Sequence, residues 1–442
     1  MSSKNLEQLS THSIGGGWGQ EVPDSKHTEK VAIIRGTDIP RIAYGDVSSV
    51  PYRWETSSKI KSRLLQAGDI VMEVSGGSAA TGQHTGRSLH ITEDILKRLG
   101  GAVIPASFCR LLRLDRSQID ARYFCFEIAG MHLSGEIAEY ENQSTGIANF
   151  QFTRFLSDVI PKITAIEEQK EIAESLGSLD DRITLLRETN KTLEAIAQAI
   201  FKSWFIDFDP VRAKIEGRAP AGLDEETAAL FPDELVESDL GLVPKGWEVK
   251  TVGDVVETVG GATPDTKNQH YWEPAEHHWT SPKDLSGLTD PVLLSTERRI
   301  SSSGLSKIGS GLLPVGTLLM SSRAPIGYLA IADVPVAINQ GYIAIPPRGR
   351  LSPLYMLRWC QANMEGIKGR ANGSTFMEIS KKAFRPIPIL MPNPKLLDVF
   401  EETCGTLFDR LVLNSKQAKT LAEIRDALLP RLISGKLCIE SM

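Results

Sequence analysis

The sequence predicts a mixed α/β protein in which two globular regions alternate with two long helices. Three observations predict it: an internal repeat, a sustained heptad pattern, and short Val/Ile/Leu runs broken by Gly, Pro and Ser. The two helices are expected to pack as an antiparallel coiled coil, giving a pseudo-two-fold internal repeat. The expected order is a globule at 1–160, a helix at 161–206, an acidic linker at 207–246, a second globule at 247–393 and a second helix at 394–442.

The repeat is clearest in the two helices. Residues 177–182 are Gly-Ser-Leu-Asp-Asp-Arg, and residues 405–410, at an offset of 228, are Gly-Thr-Leu-Phe-Asp-Arg. At the same offset, Lys-Thr-Leu-Glu-Ala-Ile at 191–196 matches Lys-Thr-Leu-Ala-Glu-Ile at 419–424. This ungapped match exceeds what two unrelated helices of similar composition would share, so it indicates a duplication.

Each helix carries apolar residues at alternating spacings of four and three, which is typical of a coiled coil. Each seam also contains one asparagine, Asn190 or Asn414. A buried Asn fixes the register because it loses its hydrogen bonds against apolar side chains. Replacing both by Leu is therefore expected to raise thermal stability and loosen the register. The predicted seam comprises Ile172, Leu176, Leu179, Ile183, Leu186, Asn190, Leu193, Leu407, Leu411, Asn414, Leu421 and Leu428.

The globules share a weaker repeat. The segment 67–72, Ala-Gly-Asp-Ile-Val-Met, resembles Val-Gly-Thr-Leu-Leu-Met at 315–320. Gln-Ser-Thr-Gly at 143–146 likewise resembles Gly-Ser-Thr-Phe at 373–376. The sequence between these segments diverges, which suggests one scaffold that presents two different recognition surfaces.

The net charge of −6 is unevenly distributed. The segment 207–246 holds 4 basic and 10 acidic residues, so it alone carries −6, whereas 247–393 holds 15 basic and 12 acidic residues and carries +3. The acidic total therefore does not exclude DNA binding. It suggests that the chain alone binds DNA weakly and that partner subunits supply much of the positive charge.

Several function classes lack support in the 442 residues. The five scattered cysteines form no CxxC, which argues for a reducing cytoplasm and against a zinc ribbon. No apolar run approaches the ~20 residues of a membrane helix, and no secretory signal, P-loop or Asn-Pro-Pro-aromatic methyltransferase motif occurs.

The glycine-rich segment 15–19 is better explained as a turn than as a nucleotide loop. An exposed polar loop is a better interpretation than a metal site for His270, His277 and His278, because their spacing is irregular and no cysteine is nearby. The segment 75–78 is open to two interpretations, a tight turn or a phosphate-cradling loop, with the turn favoured.

Three further segments carry a family resemblance. They are Ala-Ile-Phe-Lys-Ser-Trp-Phe-Ile-Asp-Phe-Asp-Pro-Val-Arg-Ala-Lys at 199–214, Gly-Leu-Val-Pro-Lys-Gly-Trp at 241–247 and Ile-Arg-Asp-Ala-Leu-Leu-Pro-Arg-Leu-Ile-Ser-Gly-Lys-Leu at 424–437. They resemble the central and distal regions of the specificity (S) subunit of type I restriction-modification systems. Within the second globule, the target-recognition-domain pattern of that family is matched at 321–327, 339–341 and 373–376. The first globule departs from it, because Ser-Gly-Gly-Ser at 75–78 replaces the Ser-Arg-Ala-type loop.

The resemblance implies a non-catalytic subunit that binds double-stranded DNA. Each globule would be a target recognition domain for one half of a bipartite site, held apart by helices of roughly 50 Å. Two modification (M) subunits with adenine methyltransferase chemistry and the restriction (R) subunits would dock on this scaffold. This chain would then hold no cofactor or metal, with S-adenosylmethionine and ATP/Mg on the partner subunits, and no membrane partner. Two alternatives are a coiled-coil interaction scaffold with protein-binding globules and a self-sufficient modification enzyme, which the missing motifs disfavour.

Candidate DNA contacts are the polar and basic side chains near the matched segments. Arg and Lys neutralise phosphates, Arg pairs with guanine, and Asn or Gln pairs with adenine. The candidates in the second globule are Arg323, Lys368, Arg370, Asn372, Ser374, Thr375, Lys381 and Lys382. Those in the first globule are Gln83, His84, Arg87, Ser144, Thr145, Asn149, Gln151 and Arg154.

Overall fold

The computed structural model describes residues 4–76, 84–144, 147–163, 165–373 and 377–437. The chain divides into two compact units. Unit 1 comprises Met1–Leu186 and Gln417–Met442, and unit 2 comprises Arg187–Lys416. Each unit therefore contains one globular region and one part of each long helix.

Unit 1 is a mixed α/β structure of short elements that lead into a long helix. In chain order the elements are α1 (Leu6–Leu9), β1 (Ser10–Gly15), β2 (Glu29–Ile34), α2 (Ile39–Ile42), β3 (Tyr52–Glu55), α3 (Ser57–Arg63), β4 (Ile70–Glu73), β5 (Ser88–His90), α4 (Glu93–Leu99), β6 (Ala102–Pro105), β7 (Cys109–Leu114), α5 (Ala121–Ser134), the 3-10 helix Glu136–Tyr140, β8 (Glu141–Ser144), β9 (Ile147–Phe150), α6 (Phe152–Asp158) and α7 (Ile166–Phe205).

Strand β4 lies inside the core of unit 1. It belongs to a four-stranded sheet of order β1-β7-β4-β5 in which all neighbours are antiparallel. Alternate side chains of a strand point to opposite faces, so Ile70 and Met72 pack in one apolar cluster with Phe124, whereas Val71 packs in another with Ile34. Both faces of β4 are covered, which explains its uninterrupted apolar run.

Unit 2 contains a second set of short elements and a second long helix. In chain order they are α8 (Asp209–Ile215), α9 (Glu225–Ala229), β10 (Leu235–Ser238), β11 (Gly241–Pro244), β12 (Glu248–Thr251), α10 (Val252–Val255), the 3-10 helix Gln269–Tyr271, β13 (His277–Thr280), α11 (Pro282–Ser286), β14 (Val292–Leu293), β15 (Arg298–Ile300), α12 (Ser302–Leu305), β16 (Leu318–Ser321), β17 (Leu329–Ala332), β18 (Val336–Ile338), β19 (Tyr342–Ile345), α13 (Pro353–Ala362), α14 (Met364–Lys368), α15 (Lys381–Phe384), β20 (Pro388–Met391) and α16 (Pro394–Ile433).

The two globular regions share their strand pairing. In unit 1, β4 lies between antiparallel β7 and β5, and β2 pairs with antiparallel β3 and parallel β6. In unit 2, β16 lies between antiparallel β19 and β17, and β13 pairs with antiparallel β15 and parallel β18. The weak sequence repeat between the globules therefore corresponds to a shared core of strand pairings. The fourth strand of the central sheet differs, because β1 pairs with antiparallel β7 in unit 1 and β14 pairs with parallel β17 in unit 2.

A helix that follows the central sheet ties each globular region to a long helix. The α5 helix begins at the N-cap Asp120, whose backbone N–H donates to Gln169 of α7 over 2.8 Å. The α13 helix begins at the N-cap Ser352, whose hydroxyl donates to the carboxylate of Glu401 on α16. Both N-caps satisfy an otherwise unpaired backbone N–H at the helix start.

Within unit 1 the two long helices run antiparallel. Ile172 of α7 lies in one apolar cluster with Leu432 of α16, and Ile183 lies in another with Ala418. Positions later in α7 thus meet positions earlier in α16. An ion pair between Arg425 of α16 and Asp180 of α7 connects the same surfaces.

The helices are also antiparallel within unit 2. Phe201 of α7 packs edge-on against Phe400 of α16, with 5.9 Å between ring centroids, and Asn414 Nδ2 donates to Asn190 Oδ1 over 2.9 Å. No predicted seam residue is exposed. The buried ones are Ile172, Leu176, Ile183, Leu186, Asn190, Leu411 and Asn414, and the half-buried ones are Leu179, Leu193, Leu407, Leu421 and Leu428.

The acidic segment at 207–246 is folded. It forms α8, α9 and the antiparallel hairpin β10–β11. Phe208, Val211 and Phe231 are buried in the same apolar cluster as Trp204 and Trp247. The segment therefore contributes core aromatics to unit 2, and its charges lie on an ordered surface.

The carboxyl group of Glu127 makes unit 1 sensitive to pH. Glu127 on α5 is 1 % exposed and accepts a hydrogen bond from the backbone N–H of Lys162 over 3.0 Å. Burial raises its pKa to about 7 from 4.5. Because the folded state then holds the proton more tightly than the unfolded state, folding stability falls as pH rises from 4.5 to 7, by about 3 kcal/mol.

We expect Glu127→Gln to remove this dependence, since a neutral amide has no charge to desolvate. Relative to the wild type, the variant should gain up to about 3 kcal/mol of unfolding free energy between pH 5 and pH 8. Thermal unfolding at both pH values measures the gain. Glu139→Gln, at an exposed position, is the control. Parallel pH profiles for Glu127→Gln and the wild type would contradict the prediction.

Candidate nucleic-acid interface

In both units, predicted contact residues gather beyond the end of a central strand. In unit 1, Ser75 follows β4 and forms a backbone bridge with Asn149 of β9. In unit 2, Arg323 follows β16 and forms a backbone bridge with Glu378. The Ser-Gly-Gly-Ser and Ser-Arg-Ala segments therefore begin at equivalent places in the two units.

The unit 1 surface is rich in amide groups. The hairpin β8–β9 supports it, with Asn142 paired to Asn149 across the strands. Ser75 Oγ donates to Asn149 Oδ1 over 3.0 Å, and Gln151 Nε2 donates to Asn142 Oδ1 over 3.1 Å. These bonds orient amides that suit the edge of an adenine.

A groove of about 660 Å³ runs along this surface. The guanidinium of Arg110 lies 4.7 Å from the ring centre of Phe152, and that of Arg154 lies 5.4 Å from the ring centre of Tyr140. Phe108, 67 % exposed, also lines the groove. Phe108 and Arg110 are not among the contacts predicted from the sequence, although an aromatic residue in a short turn between two strands was a usable signal. The groove is lined by Val74, Ser75, Phe108, Arg110, Asn149, Phe150, Gln151, Phe152, Thr153 and Arg154.

Two predicted contacts of unit 1 lie against carboxylates of the same unit. Arg87 makes a two-point bond to Glu73, with Nε–Oε2 at 2.8 Å and Nη2–Oε1 at 2.7 Å, and Glu73 is 2 % exposed. This hydrogen bonding raises the pKa of Arg87. His84 Nδ1 lies 2.9 Å from Glu141 Oε2. The geometry gives Arg87 a structural role, because it neutralises a carboxylate buried at the end of β4.

The unit 2 surface is built on a braced loop. The hydroxyl of Ser321 donates to Pro325 O over 2.8 Å and accepts from the N–H of Tyr328 over 2.8 Å. The N–H of Ser322 donates to Gly341 O over 2.8 Å, and the N–H of Ile379 donates to Ser322 O over 3.0 Å. The segments 321–327 and 339–341, which match the recognition pattern, are therefore hydrogen-bonded to each other, and Ile379, which follows the matched segment 373–376, is bonded to the first of them.

Cations outnumber carboxylates on the unit 2 surface. Arg323 Nη1 lies 3.8 Å from Glu378 Oε2, and Lys368 Nζ lies 3.0 Å from Glu365 Oε1. Asn372 pairs with Glu378 through two backbone hydrogen bonds of 2.9 and 3.0 Å. The nearby side chains of Arg370 and Lys382 are exposed, and that of Lys381 is half-buried. The surface thus offers guanidinium and ammonium groups suited to phosphates and guanine.

Four predicted contacts, Gln83, Thr145, Ser374 and Thr375, lie outside the described residues. In both units, the neighbouring residues in the sequence belong to a pair of hydrogen-bonded chain segments. Ser144 ends β8 of the unit 1 hairpin, and Asn372 and Glu378 bridge on either side of 374–376 in unit 2.

The other segments that the sequence singled out have structural explanations. Gly16 lies against the backbone of β6, where a Cβ would meet the carbonyl of Ala106, and Gly19 has φ +64°. His277 and His278 lie in β13 and hydrogen-bond Ser302 and Thr296. Within the described residues, no group of three or more His, Cys, Asp or Glu side chains is placed to hold a metal ion. None of the described helices is both long enough and apolar enough to cross a membrane.

Two α/β regions with the same core strand pairing, each with a polar surface beyond its central strand, define a protein of duplicated build. Comparison with known proteins agrees with this class. Residues 244–396 match the family described as type I restriction modification DNA specificity domain. The chain is 29% identical over 350 residues to the type I restriction enzyme HindI specificity subunit of Haemophilus influenzae, covering 69% of this chain and 76% of that one.

Two further relatives extend the comparison. The MjaIX specificity subunit of Methanocaldococcus jannaschii is 36% identical over 192 residues, covering 43% of this chain and 44% of that one. The crystal structure of a type I restriction-modification system S subunit from M. genitalium shares the fold, with a TM-score of 0.51, 16% identity and coverage of 98% and 95%. By the family model and these relatives, the chain is similar to the specificity subunits of type I restriction-modification systems. The resemblance predicted from residues 199–214, 241–247 and 424–437 is confirmed.

Proposed function

We propose that the chain recognises a bipartite double-stranded DNA target, one half with the globular region of each unit. The observation that carries this proposal is that the two globular regions share their core strand pairing but present surfaces with different side chains. Amides gather beyond β4 in unit 1, and cations gather beyond β16 in unit 2. A shared scaffold that presents amides in one unit and cations in the other suits a target whose two half-sites differ in sequence.

The proposal extends to an assembly with M and R subunits in the cytoplasm. The long helices would scaffold two M subunits, and exposed apolar side chains on them, Ile196 and Leu413 in unit 2, would supply contact area. S-adenosylmethionine would bind the M subunits, and ATP with Mg²⁺ would bind the R subunits. This chain would contribute the choice of sequence and no catalytic group.

The test is methylation by the assembled complex. We expect the full chain, co-expressed with its cognate M subunit in a host that lacks adenine methylation, to direct methylation to one motif with two specified halves and an unread gap. Sequencing that detects N6-methyladenine measures this, and the M subunit expressed alone is the control. Methylation without a bipartite consensus would rule the proposal out.

Salt dependence separates DNA recognition from the alternative, a scaffold with protein-binding globules. A protein that neutralises six to ten phosphates loses about 10³–10⁵ in DNA affinity between 50 and 200 mM salt. We expect a loss of this order for the complex of chain and M subunit. An M subunit that binds DNA equally well without this chain would favour the scaffold.

A further inference from the structure

One aromatic side chain of unit 1 is held out of the core by a fixed backbone. Phe108 lies in the turn between β6 and β7 and is 67 % exposed, whereas the next residue, Cys109, is fully buried. The carbonyl of Phe108 accepts the N–H of Val74 over 2.9 Å, and the N–H of Cys109 donates to Ala106 O over 2.8 Å. Because both sides of the turn are tied down, the ring is displayed at a defined position.

The groove beside Phe108 combines an apolar wall with an oriented amide. Gln151 lines the same groove, and its bond to Asn142 uses one N–H of Nε2. The second N–H and Oε1 are the donor and acceptor that a bidentate contact with adenine needs. Arg110 and Arg154, which stack on aromatic rings, add positive charge to the groove.

This combination fits an A·T base pair better than other DNA features. In the major groove, adenine presents N7 and N6–H₂, and thymine presents the only methyl group of the four bases. A position that binds a DNA phosphate would be expected to display a cationic side chain and not a phenyl ring. We propose that Phe108 is a specificity-determining residue that contacts the C5-methyl of a thymine in the half-site of unit 1, beside an adenine held by Gln151. The inference rests on the proposed function.

The test removes single methyl groups from the DNA. Duplexes carrying the target found by methylation sequencing have each thymine replaced in turn by deoxyuridine, which lacks only that methyl. Competition binding measures the affinity of the complex of full chain and M subunit. We expect the wild type to lose about fourfold in affinity at one position of the unit 1 half-site, the worth of one buried methyl group. Phe108→Ala should lose this sensitivity, and Phe108→Leu should retain part of it.

A matched control is Leu133→Ala, which removes an exposed apolar side chain from α5 outside the groove. It should keep the wild-type profile. The inference is overturned if Phe108→Ala keeps its consensus and the same deoxyuridine profile as the wild type. It is also overturned if Phe108→Ala weakens binding equally to target and unrelated DNA, which would indicate a sequence-independent contact. A wild-type complex without any consensus would instead overturn the proposed function, and the inference with it.

Discussion

Replacing Arg358 by Met should destabilise unit 2 by about 3–5 kcal/mol. Arg358 on α13 is 2 % exposed, and its guanidinium pairs with the carboxylate of Glu194 on α7. Gln361 Nε2 donates to the same carboxylate over 2.8 Å. Without the guanidinium, a largely buried carboxylate keeps the neutral amides of Gln361 and Gln198 as partners, and its uncompensated charge is the source of the cost.

Chemical denaturation followed by tryptophan fluorescence measures this effect. Five of the seven tryptophans belong to unit 2, so the signal reports mainly on the affected unit. Lys283→Met is the matched control, because it breaks an ion pair with Glu297 whose side chains are 75% and 62% exposed, and it should cost at most about 1 kcal/mol. The double variant Arg358→Met with Glu194→Leu should recover most of the loss, since no charge stays buried. A loss as small as that of Lys283→Met would show that the pair contributes little.

Local periodicity made the helices predictable, whereas pairing between distant strands was invisible in the sequence. Apolar spacings of three and four predict both long helices, because the pattern and the structure share one period. The ion pair of Arg87 with Glu73 joins the residue before β5 to the last residue of β4, and neither residue type indicates burial. Arg87 is a predicted DNA contact by analogy with the second globule, and its carboxylate partner was not visible in the sequence.

The acidic segment at 207–246 shows how composition can mislead. Its Pro, Gly and acidic residues are typical of a linker, yet it folds because Phe208 and Phe231 enter the unit 2 core. Spaced aromatics within an acidic run were the available signal. Burial of these rings supplies the apolar contact that a solvated linker lacks.

The last residue of the central strand, Glu73 in β4 and Ser321 in β16, differs between the two units and affects which neighbouring side chains are exposed. Glu73 and Ser321 are both the last residues of equivalent strands, paired with the first residues of β7 and β19. The buried Glu73 requires Arg87 as its partner, so the guanidinium of Arg87 is held in an ion pair within unit 1. Ser321 instead braces its loop through its hydroxyl, and the adjacent Arg323 stays partly exposed. We infer that this exchange underlies the amide-rich and cation-rich surfaces.

Of the two seam asparagines, we expect Asn190→Leu to be the more damaging replacement, because it removes several hydrogen bonds whereas Asn414→Leu removes the bond from Asn414 Nδ2 to Asn190 Oδ1. Asn190 Nδ2 donates to Asp290 Oδ2 over 2.9 Å, to Leu411 O over 3.2 Å and to Ser415 Oγ over 3.0 Å. Asn414 donates to Asn190 alone among these groups. The sequence-based expectation that Leu at both positions stabilises the protein omitted Asp290, a carboxylate from the globular region that reaches the helices.

Loss of the Asn190 amide leaves the Asp290 carboxylate with Ser415 as its hydrogen-bond donor in this network, where Ser415 Oγ donates over 2.7 Å. Leaving buried polar groups without partners costs about 1–3 kcal/mol, so Asn190→Leu should lower the unfolding free energy by that amount. The gain in helix propensity is common to both variants and cancels in their comparison. Because Asp290 anchors the chain that enters β14, hydrogen exchange of the Val292 and Leu293 amides should accelerate in Asn190→Leu and stay unchanged in Asn414→Leu. Equal stability of the two variants would mean that the seam Asn pair, and not the bond to Asp290, is what the helices require.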